Sequence, residues 1–158
     1  YYAHKNTGRP LKEGKWFEKF RSNYLDVDND ALYPFGYGLS YTTFRFSDIT
    51  LNRSSIGMDN ELVASVTVTN TGDRAGSEVV QLYIRDLVGS VTRPVKELKG
   101  FEKIYLQPNE SRTVRFTIAP EMLKFYNADL KFVAEPGDFD VMIGPDSRNV
   151  KTARFTLH

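Results

Sequence analysis

The sequence predicts an all-β protein, an antiparallel β-sandwich of about seven strands that follows an irregular, aromatic-rich extension. Three observations support this fold class. From Thr43 onward, apolar and polar residues alternate with a period of two, which is typical of strands with one buried face. Sequences rich in Gly, Pro, Asn and Asp separate these stretches. Beyond residue 43 no helical periodicity of three turns is visible, which leaves no crossover helices for a parallel sheet.

The alternating stretches and the turns between them predict the order of the elements. The clearest predicted strands are 62–69, 80–85, 114–118, 139–143 and 153–157. The apolar parity slips near Ser47-Asp48, which predicts a β-bulge, and 95–106 is expected to form one or two strands interrupted at Gly100. A short turn is expected at 120–125. Short strands with turns about every 8–12 residues are typical of an immunoglobulin or fibronectin type III β-sandwich.

The first 42 residues differ in texture from the rest, so we divide the chain into an extension or linker, 1–42, and a β-sandwich domain, 43–158. The extension holds 10 of the 21 aromatic residues, with glycines and prolines that interrupt regular structure. A short amphipathic turn is possible at 15–20. So many rings on irregular backbone predict contact with another domain. The candidate interdomain contacts are Trp16, Tyr33, Phe35, Tyr37 and Tyr41.

Composition excludes several classes of function. The 158 residues carry 21 Lys and Arg against 20 Asp and Glu, so we expect neither a nucleic-acid nor a membrane partner. No apolar run approaches the length of a membrane span. The absence of Cys removes disulfides, thiolate chemistry and cysteine-based zinc sites. We expect no cofactor and no metal site.

Three features of the sequence are candidates for catalytic or metal sites. The sequence Gly38-Leu39-Ser40-Tyr41-Thr42 lacks the second Gly of a nucleophile elbow, and the two histidines, His4 and His158, lie at opposite ends of the chain. The acidic run 26–30 begins like a calcium loop but has Ala31 where the sharp turn needs Gly. The glutamates fall at predicted strand edges and turns, where carboxylates are ordinarily solvated. The sequence therefore predicts no catalytic residue.

Exposed aromatic residues point to binding instead. Tyr83 is expected on the exposed face of its strand, and Tyr105 is a second candidate; rings on a flat sheet can stack on sugars. The segment 33–41 places four rings in nine positions, with glycines that permit close backbone approach. These rings are expected to cap one end of the sandwich, to form an interface with another domain, or to do both.

A succession of motifs follows this order along the whole chain. They are Tyr2-Ala3-His4-Lys5-Asn6-Thr7-Gly8-Arg9-Pro10, Leu32-Tyr33-Pro34-Phe35-Gly36-Tyr37-Gly38-Leu39-Ser40-Tyr41-Thr42-Thr43-Phe44, Val66-Thr67-Val68-Thr69-Asn70-Thr71-Gly72, Gly76-Ser77-Glu78-Val79-Val80-Gln81-Leu82-Tyr83-Ile84, Arg93-Pro94-Val95-Lys96-Glu97-Leu98-Lys99-Gly100-Phe101, and Glu135-Pro136-Gly137 followed by Ile143-Gly144. The succession resembles the C-terminal fibronectin type III-like domain, with its preceding linker, of glycoside hydrolase family three β-glucosidases.

The resemblance implies a parent enzyme with three parts. A TIM-like barrel would supply an aspartate nucleophile, an α/β sandwich an acid/base glutamate, and the fibronectin type III-like domain would follow. No segment here resembles the barrel motif, so the resemblance carries over no catalytic residue, and this chain alone is expected to be inactive. The parent would remove terminal β-linked glucose, or xylose, by a retaining double displacement, in the periplasm or outside the cell.

The resulting expectation is a non-catalytic module that braces the catalytic domains of the same parent chain. Two alternatives stay open at this point. One is an independent carbohydrate-binding β-sandwich with an oligosaccharide as its ligand. The other is an adhesion or assembly module that pairs through a sheet edge.

Overall fold

The computed structural model describes Arg9, residues 18–21, Tyr24, Asp26 and residues 29–158. These residues form eleven strands and one short 3-10 helix, Pro120–Leu123. The strands are β1 (Phe44–Phe46), β2 (Thr50–Leu51), β3 (Ser55–Ile56), β4 (Leu62–Asn70), β5 (Gly76–Asp86), β6 (Glu97–Leu106), β7 (Ser111–Ile118), β8 (Phe125–Tyr126), β9 (Phe132–Val133), β10 (Gly137–Gly144) and β11 (Lys151–Leu157). The predicted all-β fold is confirmed, and the expected turn at 120–125 contains the 3-10 helix.

Two sheets face each other across the core. In the first, β1, β2 and β7 all pair with β4, and in the second the order is β3-β11-β10-β5-β6. All pairs are antiparallel except β11 with β3, which is parallel over two residues. β8 and β9 form a separate hairpin. This arrangement is the antiparallel β-sandwich that the alternating pattern predicts.

The core consists of the inward-facing residues of both sheets. In β4 every second residue, from Leu62 to Asn70, is buried, as the period of two requires. From the second sheet, the rings of Phe139 and Phe155 stack with centroids 5.4 Å apart. The other buried members are almost all Val, Ile and Leu. Burial of this apolar surface supplies the main driving force for folding.

Two irregularities predicted from the sequence take the form of bulges. Phe46 pairs with Val68 and Thr50 with Ser65, so four steps on one strand match three on β4. The extra residue lies at 47–49 and confirms the bulge near Ser47-Asp48. β6 is a single strand, but its register with β5 shifts by one residue next to Gly100. The expected interruption at Gly100 is therefore a bulge and not a break.

β5 departs from simple alternation, because both of its faces are covered at 80–84. Leu82 faces the core, while Gln81 and Tyr83 point to the opposite side of the sheet and are also buried. The expectation that Tyr83 lies on an exposed face is wrong. The element that covers this side comes from residues 34–37, far away in sequence, so the local pattern of β5 gives no sign of it.

Some expectations are not tested by these elements. Residues 15–17 of the possible amphipathic turn at 15–20, and residues 27–28 of the acidic run 26–30, lie outside the described residues. In the portion of the chain that the structure describes, no helix has both the length and the apolar character needed to cross a membrane.

Candidate functional site: an anchored aromatic strap

Residues 31–43, which we call the strap, approach β1 without forming helix or strand. A β-turn at 34–37 bends the strap, closed by the Tyr37 N–H donating to the Pro34 carbonyl at 3.0 Å. Gly36 occupies the third turn position with φ +80°, which a type II turn assigns to glycine. A Cβ at this position would also lie 2.0 Å from Oε1 of Gln81. Gly36 is thus required both by its backbone angle and by its close approach to β5.

Gln81 is the buried side chain that holds this turn against the sandwich. Its Nε2 donates to the carbonyl of Gly36 at 3.1 Å and also to the carbonyl of Pro145. Its Oε1 accepts a hydrogen bond from the Tyr83 hydroxyl at 2.5 Å. Leaving any of these buried groups without a partner costs free energy of desolvation, so the network fixes the position of the strap.

The turn between β10 and β11 provides two further anchors. The Ser147 N–H donates to the carbonyl of Phe35 at 2.9 Å, and the Arg148 guanidinium donates to the carbonyl of Ala31. Nζ of Lys96 in turn donates to the Ser147 carbonyl at 2.6 Å. All of these bonds to the strap are accepted by its main-chain carbonyls and do not involve its side chains.

A carboxylate keeps this turn rigid. Oδ1 of Asp146 accepts the N–H groups of Arg148 and Asn149, each at 2.8 Å, and Oδ2 accepts the Asn149 side-chain amide at 2.8 Å. Burial raises the pKa of Asp146, but the hydrogen bonds from Asn149 and Arg148 outweigh it and hold the pKa below its ordinary value. The ionised carboxylate therefore preorganises the surface on which the strap lies.

The other end of the strap is fixed by a second buried amide, Asn70. Thr42 Oγ1 donates to Asn70 Oδ1 at 2.7 Å, and Asn70 Nδ2 donates to the carbonyls of Arg74 at 2.7 Å and Leu106 at 3.1 Å. The Gly72 N–H also donates to Oδ1 at 3.1 Å. The strap is therefore held at both ends.

In contrast to the anchored main chain, most large side chains of the strap point into solvent. Tyr41 is 93% exposed and Leu39 is 89% exposed. Tyr33 and Tyr37 lie against each other with centroids 5.3 Å apart. Only Pro34 of the residues 31–41 is buried. The exposed large apolar members are Leu32, Tyr33, Phe35, Tyr37, Leu39 and Tyr41.

The structure places four of the five predicted contact residues together. Tyr33, Phe35, Tyr37 and Tyr41 all belong to the strap, whereas Trp16 lies outside the described residues. A prediction from aromatic rings alone does not include Leu32 and Leu39, although both lie in the same run. It also omitted Gln81, whose signal was a polar residue in the middle of an otherwise apolar strand.

Glu78 is a carboxyl group near this end of the sandwich that departs from the expected solvated glutamate. Its burial raises the pKa of Glu78, the Val79 N–H that its Oε1 accepts at 2.8 Å opposes this, and the charge of Asp146 raises the pKa further. Among the described residues that affect the pKa of Glu78, none is placed as a catalytic partner. We interpret the Glu78 carboxylate as a charged group that the fold accommodates near the edge of the core.

The remaining candidates are spread over the sandwich and do not converge. Ser40 is exposed, and its Oγ accepts the Thr42 N–H at 3.3 Å within the strap. His158 lies at the end of β11, where its N–H donates to the Ile56 carbonyl at 2.9 Å. Of the two tyrosines considered for sugar stacking, Tyr105 is exposed as expected and Tyr83 is buried.

Comparisons with known proteins agree with this architecture. A family model described as a fibronectin type III-like domain matches residues 78–147. A periplasmic β-glucosidase of Salmonella typhimurium is 54% identical over 157 residues, which make up 99% of this chain and 20% of that protein. A putative β-xylosidase of Formosa agariphila is 51% identical over 138 residues, or 87% of this chain and 18% of that protein.

Solved structures show the same relationship. A mutant β-glucosidase from Listeria innocua, in complex with laminaribiose, superposes with a TM-score of 0.89 at 41% identity, over 100% of this chain and 22% of that one. A β-glucosidase from Erythrobacter marinus gives a TM-score of 0.85 at 47% identity, over 100% and 20% of the two chains. The chain thus spans about a fifth of the length of the relatives it matches. It belongs to the fibronectin type III-like domains of glycoside hydrolase family three β-glucosidases, and it includes the segment that leads into that domain.

Proposed function

We propose that this chain is a non-catalytic module that braces the catalytic domains of a β-glucosidase-like parent enzyme, and that the strap makes the contact. One contrast carries this proposal: the main chain of the strap is bound to the sandwich, whereas most of its large side chains are exposed. Three of its carbonyls are bound by Gln81, Ser147 and Arg148, while most of its large apolar side chains are exposed. Such a surface is typical of an interaction site.

The energetics favour this use of the strap. Transfer of one large apolar side chain from water into an interface contributes about 1.5–3 kcal/mol. A free tail would lose conformational entropy on docking, at a cost of about 1–2 kcal/mol for each residue fixed. The strap has already been ordered by its anchors in the sandwich. More of the burial energy is therefore available for binding the partner.

The named relatives support a proposal for the parent's activity and location. These are β-glucosidases and β-xylosidases, so the parent would hydrolyse terminal β-linked glucosyl or xylosyl residues. Its catalytic residues would lie in the domains that precede the strap, and this chain by itself would not turn over a nitrophenyl glucoside. One relative is described as periplasmic, which supports a periplasmic or secreted location. We also retain the division of the chain at residues 42 and 43.

The two alternative functions have weaker support. The carbohydrate-binding alternative rests on the rings of Tyr83 and Tyr105, and the burial of Tyr83 removes one of the two. The assembly alternative needs an open strand, but β6 carries Lys99 and Lys103 together with a bulge at Gly100. Charged residues and bulges of this kind discourage pairing of sheet edges.

A paired substitution in the full-length parent tests the bracing role. Leu39→Ser together with Tyr41→Ser removes two of the most exposed apolar side chains and none of the anchoring bonds. We expect the full-length variant to lose activity at a lower temperature than the wild type, with initial rates at moderate temperature less affected. In the excised chain the same pair should change the free energy of unfolding by no more than about 0.5 kcal/mol per site.

The matched control is Tyr126→Ser with Leu130→Ser, which removes a comparable exposed pair from the β8–β9 hairpin. This control should leave thermal inactivation of the parent closer to that of the wild type. If the strap pair leaves both thermal inactivation and kinetics of the full-length enzyme unchanged, the bracing role is wrong.

A further inference from the structure

Resting on the proposed function, we infer that the contact with the catalytic domains extends beyond the strap onto the outer face of β6, where Phe101 and Tyr105 form its second half. The occupant of this surface is the preceding part of the same polypeptide. The preceding part of the polypeptide would therefore contact the module at two elements, the irregular strap and strand β6.

The first observation is the exposure of two rings on an edge strand. Among the described strands, β6 pairs with β5 and lies at the end of the five-stranded sheet. Phe101 is 68% exposed and Tyr105 is 54% exposed, whereas Ile104 and Leu106 between and beyond them face the core. Phe101 and Tyr105 are four positions apart, so they share the outer face.

The second observation is that this outer face continues directly into the strap. Phe101 is the register partner of Gln81, and Tyr105 is the register partner of Ser77. Side chains of register partners lie on the same face of a sheet. Gln81 reaches from that face to the Gly36 carbonyl, so the strap lies beside Phe101 on one surface of the sandwich. A single partner that covers the strap at this point meets the rings of β6 next.

The size of the parent and the course of the strap identify the occupant. The chain spans about a fifth of its relatives, so some four fifths of such a protein would precede or flank it. The strap, residues 31–43, contains no charged residue. The surface that covers it would therefore be mainly apolar at its centre. The strap leads from that preceding part directly onto this face.

A comparison with the β8–β9 hairpin shows why exposure alone is not sufficient. Its rings, Tyr126 and Phe132, are 66% and 55% exposed and lie 5.0 Å apart. The base of the hairpin lies near Arg93, because that guanidinium stacks on the ring of Phe125 at 4.1 Å. Arg93 also pairs with Asp86 at the C-terminal end of β5, whereas Gln81 lies in the middle of that strand and the partner of Tyr105 near its start. The hairpin therefore supplies a matched pair of rings outside the proposed contact.

Hydroxyl-radical footprinting of the full-length parent tests the inference without any substitution. Oxidation rates of Phe101 and Tyr105 would be measured by mass spectrometry and divided by their rates in the denatured protein. Tyr126 and Phe132 provide the reference pair, and Tyr41 reports on the strap. We expect Phe101 and Tyr105 to be oxidised several-fold more slowly than the reference pair, with Tyr41 protected as well.

The possible outcomes separate the two proposals. Protection of Tyr41 with free oxidation of Phe101 and Tyr105 overturns the extension to β6 and leaves the bracing role intact. Free oxidation of all three overturns both. Protection of Phe101 and Tyr105 that arises only on addition of laminaribiose would assign the face to a saccharide, and would also overturn the inference. A matching loss of thermal stability in Phe101→Ser with Tyr105→Ser, relative to Tyr126→Ser with Phe132→Ser, would support it.

Discussion

The strap and strand β4 are close in sequence, but they use their main chains and side chains in opposite ways. In β4 the backbone is bonded to adjacent strands, and alternate side chains from Leu62 to Asn70 fill the core. In the strap the backbone is bonded to isolated side chains and turns, and the apolar side chains are directed outward. The difference shows that a segment can be held firmly without regular structure when buried amides bind its carbonyls. It also shows that apolar residues in such a segment need not serve the fold.

The largest effect is expected in the core, where side chains determine stability. Phe139→Ala removes a ring that stacks on Phe155 and is almost completely buried. We expect a loss of about 3–5 kcal/mol in the free energy of unfolding, because the cavity cannot close fully. Urea unfolding of the chain measures it. Phe101→Ala is the matched control and should cost no more than about 0.5 kcal/mol. Similar losses for the two variants would remove the distinction between core rings and surface rings.

A smaller effect is expected at the anchor of the strap. Gln81→Leu keeps the approximate volume of the side chain but removes its hydrogen bonds with the Tyr83 hydroxyl and the Gly36 carbonyl. We expect a loss of about 1–3 kcal/mol in unfolding free energy. Chymotrypsin should also cleave faster beside the exposed rings of the strap, since its turn would detach from β5.

Gln107→Leu is the matched control for this experiment, since Gln107 is an exposed glutamine after β6. It should change neither the unfolding free energy appreciably nor the rate of cleavage in the strap. Unchanged cleavage in Gln81→Leu would mean that Ser147 and Arg148 hold the strap without the amide.

The smallest effect is expected at Glu78 and depends on pH. Burial raises the pKa of Glu78 in the folded protein above its ordinary value of 4.5, so the ionised form destabilises the fold at neutral pH. Glu78→Gln should therefore be more stable than the wild type at pH 7. The difference in unfolding free energy between the variant and the wild type should narrow as pH falls through the pKa of Glu78 in the folded protein, because the wild-type carboxyl becomes neutral. Below pH 4.5 this difference should change little. Urea unfolding across this range measures it, and a gap independent of pH would contradict ionisation as its cause.

Most of the sandwich could be predicted because its signals are local. Alternation over 62–69 and 139–143 identifies strands, and the slip of parity near Ser47 identifies a bulge, since each depends on adjacent residues. The anchor of the strap could not be predicted in this way. The burial of Gln81 and Tyr83 depends on a segment more than forty residues earlier and on the turn after β10. Long-range contacts of this kind leave no periodic trace in the sequence.

The bonds to the carbonyls of Ala31, Phe35 and Gly36 have an evolutionary consequence. Every amino acid offers the same carbonyl, so attachment of the strap depends little on its side chains, apart from the glycine that its turn requires and the Thr42 hydroxyl that binds Asn70. Substitutions at the other positions would not remove these bonds. Point mutations at those positions would thus alter the displayed surface while the attachment of the segment stays the same.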